Sequence, residues 1–386
     1  MGALLANTRE TVAVDTPAAF ATSFMLAIYN NYIISRKTRF LISITICGYN
    51  QQMKTLVTGA TGFVGGVLAH RLHTMGWDVT AIGRNPAKIN QLEDDGMRAI
   101  RADISKKDEV AASFSDVELV FHCAALPSPW GGFEKFYQAN VIGTRNIVQA
   151  CLENNVKRLV YISTPSIYFD YDSRIGVKEN DPLPEPISHY AHTKLLAEEE
   201  IDKGFAQGLA VVSIRPRALF GEGDTVIFPR LLSRLKTGRL PILGDGENIV
   251  DLTYIQNVVD ALLLCAESPA NTLGKKYNIS NGEPIKIWEL VSRICDELQL
   301  PHPKRKISKR AAHTAASVIE FLYSLIPYSP EPPLTRVTVS MLANSTTLDI
   351  SAAKNELGYH PNVSVEKGVQ KFLKWWKEKN PSLRWR

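Results

Sequence analysis

From Met53 onward, short apolar runs alternate with longer segments of helical period. Lys54–Thr58 has the character of a strand buried on both faces, and Gly59-Ala60-Thr61-Gly62-Phe63-Val64-Gly65-Gly66 ends it. Val67 to Met75 then reads as a helix, with Val67, Leu68 and Leu72 on one face. The same alternation predicts strands at Asp78–Ile82, Arg98–Ala102, Val117–Ala125 and Arg158–Ser163. A long helix opens at Ala139, and a helical run covers Leu195 to Ile201. Beyond Phe220 the alternation weakens. Helices are predicted over Phe228–Leu240 and Ala311–Ile326, with a strand and helix over 250–267.

Strands separated by helices predict an α/β fold, a doubly wound parallel sheet of the Rossmann type with ligands at the carboxyl ends of its strands. The expected organisation is a dinucleotide-binding domain over 53–220, to which 250–270 returns. A smaller C-terminal substrate lobe is expected from 221–249 and 271–386. Residues 1–52 have no clean period. Their apolar runs, Phe24–Ile28 and Phe40–Ile46, fall well short of the roughly 18 residues of a membrane span. They read as an extension outside the domain, disordered or preceding a natural start at Met53. A targeting peptide is the second reading and a membrane anchor the third.

Composition changes this picture little. The chain has 386 residues, 45% hydrophobic and 22% charged, which excludes collagen-like, low-complexity and wholly disordered classes. The net charge is +5, and residues 1–52 supply four basic and two acidic side chains, so the rest is near neutral. With no basic face evident, nucleic acid is not an expected partner. The five cysteines show no CxxC spacing, which fits a reducing, cytoplasmic setting and no metal site.

The candidate chemistry lies at strand ends. A glycine turn between strand and helix lets a pyrophosphate approach backbone N–H groups at a helix N-terminus. Strand two ends at Gly83-Arg84, where an NAD site would carry a ribose-binding carboxylate. Arg84 can instead take a 2′-phosphate, which favours NADP(H) over NAD(H). A solvated loop arginine is the structural alternative. In Tyr190-Ala191-His192-Thr193-Lys194 a phenol and an ammonium share one helix face. The positive charge is expected to lower the phenol pKa, giving a proton donor for carbonyl reduction, and the Thr164 hydroxyl would polarise the same oxygen.

GATGFVG at 59–65, YISTPS at 161–166, YAHTK at 190–194 and SIRPRALFGEGD at 213–224 together resemble the extended short-chain dehydrogenases/reductases. The resemblance covers Met53 to about Trp376. It implies cofactor contacts at Gly59, Thr61, Gly62, Phe63, Val64, Gly65, Asp103, Ile104, Ala124, Ala125 and Pro216, and from Tyr190 and Lys194. It implies catalytic roles for Thr164, Tyr190 and Lys194, with Asn140 in the helix beneath the site; capping of a helix is the structural alternative for Asn140.

RPRALFGEGD, GDGEN at 244–248 and VDLTYI at 250–255 are similar to the 3β-hydroxysteroid dehydrogenase/isomerase branch. PWG at 129–131, STPS at 163–166, ISNGEP at 279–284 and EPPLTR at 331–336 are similar to 2-alkyl-3-oxoalkanoate reductases. Both imply hydride transfer between nicotinamide and a secondary alcohol or ketone carbon on a hydrophobic substrate. A nucleotide-sugar epimerase or dehydratase, or a regulator that senses NADP without catalysis, is the alternative.

Trp130, Phe133, Phe136, Tyr137 and Phe228 are candidates for a hydrophobic substrate slot, or for core. Arg217 is placed to pair with a substrate carboxylate, or to close the two lobes as an ion pair. The basic run from Lys304 to Arg310 followed by the apolar helix suggests a peripheral membrane contact through 304–326, against a plainer reading as a cover for the cleft. A homodimer is expected.

Overall fold

The computed structural model describes residues 53–238, 240–326 and 330–381. The extension 1–52 lies outside the described residues, as does Cys47.

Seven parallel strands form the main sheet: β1 (Lys54–Thr58), β2 (Asp78–Gly83), β3 (Arg98–Arg101), β4 (Leu119–His122), β5 (Arg158–Ile162), β6 (Val211–Pro216) and β7 (Lys276–Ile279). Their order is β7-β6-β5-β4-β1-β2-β3. In-register pairing runs from Thr55 opposite Leu119 and Val79 to Ile162 opposite Ile214. The order reverses direction between β1 and β4, which opens a crevice at their carboxyl ends.

Helices cover both faces. α1 (Phe63–Thr74) lies on one face, and α2 (Gly143–Glu153) and α3 (His189–Ala206) on the other. Successive strand residues serve the two sides alternately. Leu56, Val120, Leu159 and Tyr161 pack with Ile147, Cys151, Ala197 and Ile201, whereas Val57, Phe121 and Val160 pack with Leu68, Leu72 and Val259. A strand buried on both faces has no polar side, so these segments read as continuous apolar runs. Cys151, Cys265 and Cys295 are buried free thiols, and Cys123 is a half-buried one.

The lobe has its own core. Phe220, Phe228, Leu232, Trp288, Val291, Ala316, Val339 and Phe372 pack together. They come from the short strand Leu219–Phe220 and from α4 (Ile227–Lys236), α6 (Ile287–Leu298), α7 (Lys309–Ser324), α8 (Arg336–Ala343) and the helix Val365–Lys379. The intervening α5 (Ile255–Glu267) returns to the main domain, where Val258, Val259 and Leu262 pack under the sheet.

Two boundaries need correction. β7, within the range assigned to the lobe, is an edge strand of the main sheet, and Ala353, Leu357 and Tyr359 join the main core. Conversely Arg174–Val177, within the range assigned to the main domain, pairs in parallel with Thr346–Leu348 in a separate sheet. Sequence proximity fails here because the chain crosses between the lobes several times.

Candidate active site

A cavity of about 1150 Å³ lies between the carboxyl ends of the main-sheet strands and the lobe. Gly59, Thr61, Gly62, Phe63, Val64, Gly65, Arg84, Asp103, Ile104, Ala124, Ala125, Thr164, Tyr190, Lys194, Pro216 and Arg217 all line it. Six strand ends and α3 supply these residues, which is why segments far apart in the chain meet.

At the end of β1 the backbone dictates glycine. Gly59 has φ +69°, and a Cβ there would stand 2.8 Å from Ala124 Cα. A Cβ on Gly65 would stand 2.4 Å from the Gly59 carbonyl oxygen. Gly62 begins α1 with no side-chain cap, so the first turn of that helix meets the cavity uncapped. This is a cradle for a phosphate group, since the N–H groups of a first turn have no partners within the helix. It fits a dinucleotide.

Arg84, at the end of β2, is mostly exposed, and its guanidinium stands 3.8 Å from the Asp103 carboxylate. Burial acts to raise the Asp103 pKa, but hydrogen bonds from the Ser105 amide and hydroxyl, with Arg84 beside it, hold the carboxyl below its ordinary value. Nearby, Lys88 donates to the Thr61 carbonyl at 2.9 Å. The carboxyl end of β2 therefore presents Arg84 to the cavity and no carboxylate of its own, with Asp103 beside it at the end of β3.

The candidate acid–base residues sit on α3 and after β5. Ser188 caps α3 by accepting from the Ala191 amide at 3.1 Å. The cap places Tyr190 in the first turn and Lys194 one turn on, on one helix as their spacing predicted. Tyr190 is partly buried on the cavity wall beside Thr164, whose hydroxyl donates to Ser166 Oγ at 3.0 Å. The expected lowering of its pKa is corrected: burial holds the phenol above its ordinary value, and Thr164 offsets this in part.

Lys194 is engaged elsewhere. Its Nζ donates to the Tyr161 hydroxyl at 2.6 Å and to the Ile162 carbonyl at 2.7 Å. Burial lowers its pKa to about 7, against the pull of Glu198. Glu198, one turn further along α3, accepts from Ser163 and forms a buried ion pair with Arg215. The helical row Tyr190, Lys194, Glu198 was open to recognition by its spacing, and Tyr161 by its place in the strand alternation. Sequence reasoning passed over Tyr161 and Glu198.

Asn140 does not reach the cavity wall. It lies in a wide π-helical turn, Tyr137–Ile142, within the helical segment from Phe133 to Glu153. Its Oδ1 accepts from the Leu126 amide at 2.8 Å, and its Nδ2 donates to the Thr193 hydroxyl at 3.0 Å. It neither caps a helix nor faces substrate; it ties the loop after β4 to α3.

Two expected substrate contacts are also displaced. Phe228 is buried in the lobe core against Phe220 and Phe372. Trp130 is absent from the cavity lining, where Pro127, Ser128 and Pro129 stand instead. Phe133 and Phe136 pack against His189, and Phe133 against Tyr137.

Arg217 does line the cavity, and it is only 5% exposed. It donates to Thr346 Oγ1 at 2.8 Å and stacks over Phe169 at 4.3 Å. Its Nε is buried with no hydrogen-bond partner. Burial lowers its pKa to about 10 against the pull of Asp251, but no ion pair closes the lobes here. A buried, unpaired donor is costly, and a ligand acceptor would relieve it. Phe169, Trp288, Val291, Met341 and Thr346 also line the wall and carried no motif.

Residues 55–280 match the NAD dependent epimerase/dehydratase family. The chain is 36% identical over 326 residues to 2-alkyl-3-oxoalkanoate reductase of Stenotrophomonas maltophilia, covering 83% of this chain and 98% of the relative. It is 35% identical to 3beta-hydroxysteroid-dehydrogenase/decarboxylase isoform 1 of Arabidopsis thaliana, covering 82% and 78% of the two chains. Among solved structures, MoeE5 in complex with UDP-glucose and NAD is 28% identical with a TM-score of 0.68, covering 84% of this chain and 99% of that one. The chain belongs to the NAD dependent epimerase/dehydratase family, within the extended short-chain dehydrogenases/reductases.

Proposed function

We propose that this protein is an NADP(H)-dependent reductase/dehydrogenase that interconverts a ketone and a secondary alcohol on a hydrophobic substrate bearing a carboxylate β to the reacting carbon, a 2-alkyl-3-oxo acid or a 4-carboxysteroid. The observation that carries this reading is Arg217, a cavity-lining guanidinium whose buried Nε has no partner. A carboxylate is the ligand group that such a donor fits best. The printed names of the relatives, an oxoalkanoate reductase and a steroid dehydrogenase/decarboxylase, agree with that chemistry.

When bound, the reduced nicotinamide supplies the hydride. Tyr190 gives the proton to the carbonyl oxygen, and the neighbouring Thr164 hydroxyl turns from Ser166 Oγ to donate to the same oxygen and fix its position. Lys194, about half protonated at pH 7 in this buried setting, is driven to its charged form by the developing tyrosinate, which it then stabilises. Arg84 with Lys88 supports a 2′-phosphate, and thus NADP(H) over NAD(H).

The test is a panel of 2-alkyl-3-oxo acids, 3-ketosteroids with and without a 4-carboxylate, and UDP-sugars, each with NADPH and NADH. Stoichiometric cofactor oxidation confined to the carboxylated ketones supports the reading. Turnover of UDP-sugars without net cofactor oxidation overturns it.

A further inference from the structure

The outward face of α7 (Lys309–Ser324) is apolar over most of its length. Val318, Phe321, Leu322, Leu325 and Ile326 are each more than half exposed, and they recur at helical spacing along one stripe that runs past the end of α7. They account for five of the eleven large hydrophobic side chains that stand exposed among the described residues. Such a concentration marks a contact surface, since single exposed apolar residues are ordinary and clusters are not.

The charge around the stripe is mainly positive, with the exposed Asp172 standing 3.7 Å from Lys309 in the first turn. Glu320, the only acid on this helix, turns inward and is paired with Arg336. Arg310 lies on the same outward stripe, two turns before Val318, and is exposed. Lys304 and Arg305 precede the helix, exposed and without an ion pair among the described residues. An apolar ridge with cations at one end and no free acid complements an anionic lipid surface.

The helix also roofs a route inward. A second apolar cavity of about 210 Å³ lies beneath Ala311, Ala312 and Ala315. It shares Arg234, Leu240 and Leu342 with the large cavity. The outer helix, the small cavity and the substrate cavity are therefore consecutive layers. Among the described residues no helix is long and apolar enough to cross a membrane, so contact would be at the surface.

We propose that the outward face of α7 docks on an anionic lipid bilayer, with the apolar stripe in the acyl boundary and the basic residues at the headgroups. The docking itself does not rest on the proposed reaction and is read without substrate.

The experiment is flotation of the full-length protein with phosphatidylcholine vesicles and with vesicles containing phosphatidylglycerol. The double variant Phe321→Glu/Leu325→Glu is run beside it, with oligomeric state followed by light scattering. Both sites are solvent-exposed, so the fold is expected to survive, and the melting temperature checks that. The expected result is that the wild-type protein floats with anionic vesicles, and that the variant binds at least ten-fold more weakly with an unchanged oligomeric state. Four results would overturn the proposal: no flotation of the wild type, equal flotation with neutral vesicles, equal flotation of the variant, or a wild-type oligomer that the variant dissociates. The last would identify a second copy of the chain as what covers this face.

Discussion

Lys194 Nζ donates to the buried Tyr161 hydroxyl at 2.6 Å, and its ammonium also lies 4.2 Å from the centre of that ring. Lys194 is thus held against the strand floor, where desolvation brings its pKa from 10.5 to about 7. In the unfolded chain the same side chain keeps its proton to the ordinary value. Between about pH 7 and 10.5 the unfolded state therefore binds more protons, so stability from this group rises with pH. The penalty for a buried charge is fully present below pH 7. Lys194→Met removes it: the melting temperature should rise more at acidic than at alkaline pH, while kcat falls about 10²-fold or more. A variant less stable than wild type below pH 7 would contradict this.

Glu198 and Arg215 form an ion pair with side chains 3% and 5% exposed, and Ser163 donates to the same carboxylate. Glu198→Gln leaves a buried guanidinium without its counter-charge. Destabilisation of about 3–5 kcal/mol is expected from urea unfolding. A loss under about 1 kcal/mol would mean that water or another group compensates.

Arg217→Met keeps much of the side chain's volume and removes the donor. The expected result is a fall of about 10- to 100-fold in kcat/KM for a β-keto acid, carried mainly by KM, with little change for the corresponding neutral ketone. Equal effects on both substrates would assign Arg217 to tying the lobes together through Thr346.

Arg84→Ala should lower the preference for NADPH over NADH by about ten-fold or more, measured as the ratio of the two kcat/KM values. Tightened NADH binding is not required. An unchanged ratio would place Arg84 as a surface partner of Asp103.

The glycine turn and five of the seven main-sheet strands were legible in the sequence. Their signals are local: continuous apolar runs and glycines where a Cβ meets backbone. β7 was not legible, because Lys276-Tyr277-Asn278-Ile279 mixes polar and apolar residues. Asn278 is fully buried there only because Tyr168, Val177 and Glu179, about a hundred residues away, satisfy its polar groups. The helical spacing of Tyr190 and Lys194 was legible, and Ser188 before them is the cap that the sequence reading passed over. Phe228 was misplaced for the same reason as β7: its partners Phe220 and Phe372 come together only through the lobe's tertiary packing. The site residues that strand ends deliver were found, whereas those that side-chain packing delivers were not.

The most direct measurement follows the hydride. NADPH deuterated at the transferring position of its nicotinamide is incubated with a 2-alkyl-3-oxo acid, and the product is analysed by mass spectrometry for wild type and Tyr190→Phe. The account predicts one deuterium at the product carbinol carbon per NADP⁺ formed, and a rate about 10²- to 10⁴-fold lower in the variant with cofactor affinity nearly unchanged. Label retained on the cofactor with no net oxidation, or full turnover by Tyr190→Phe, would contradict it.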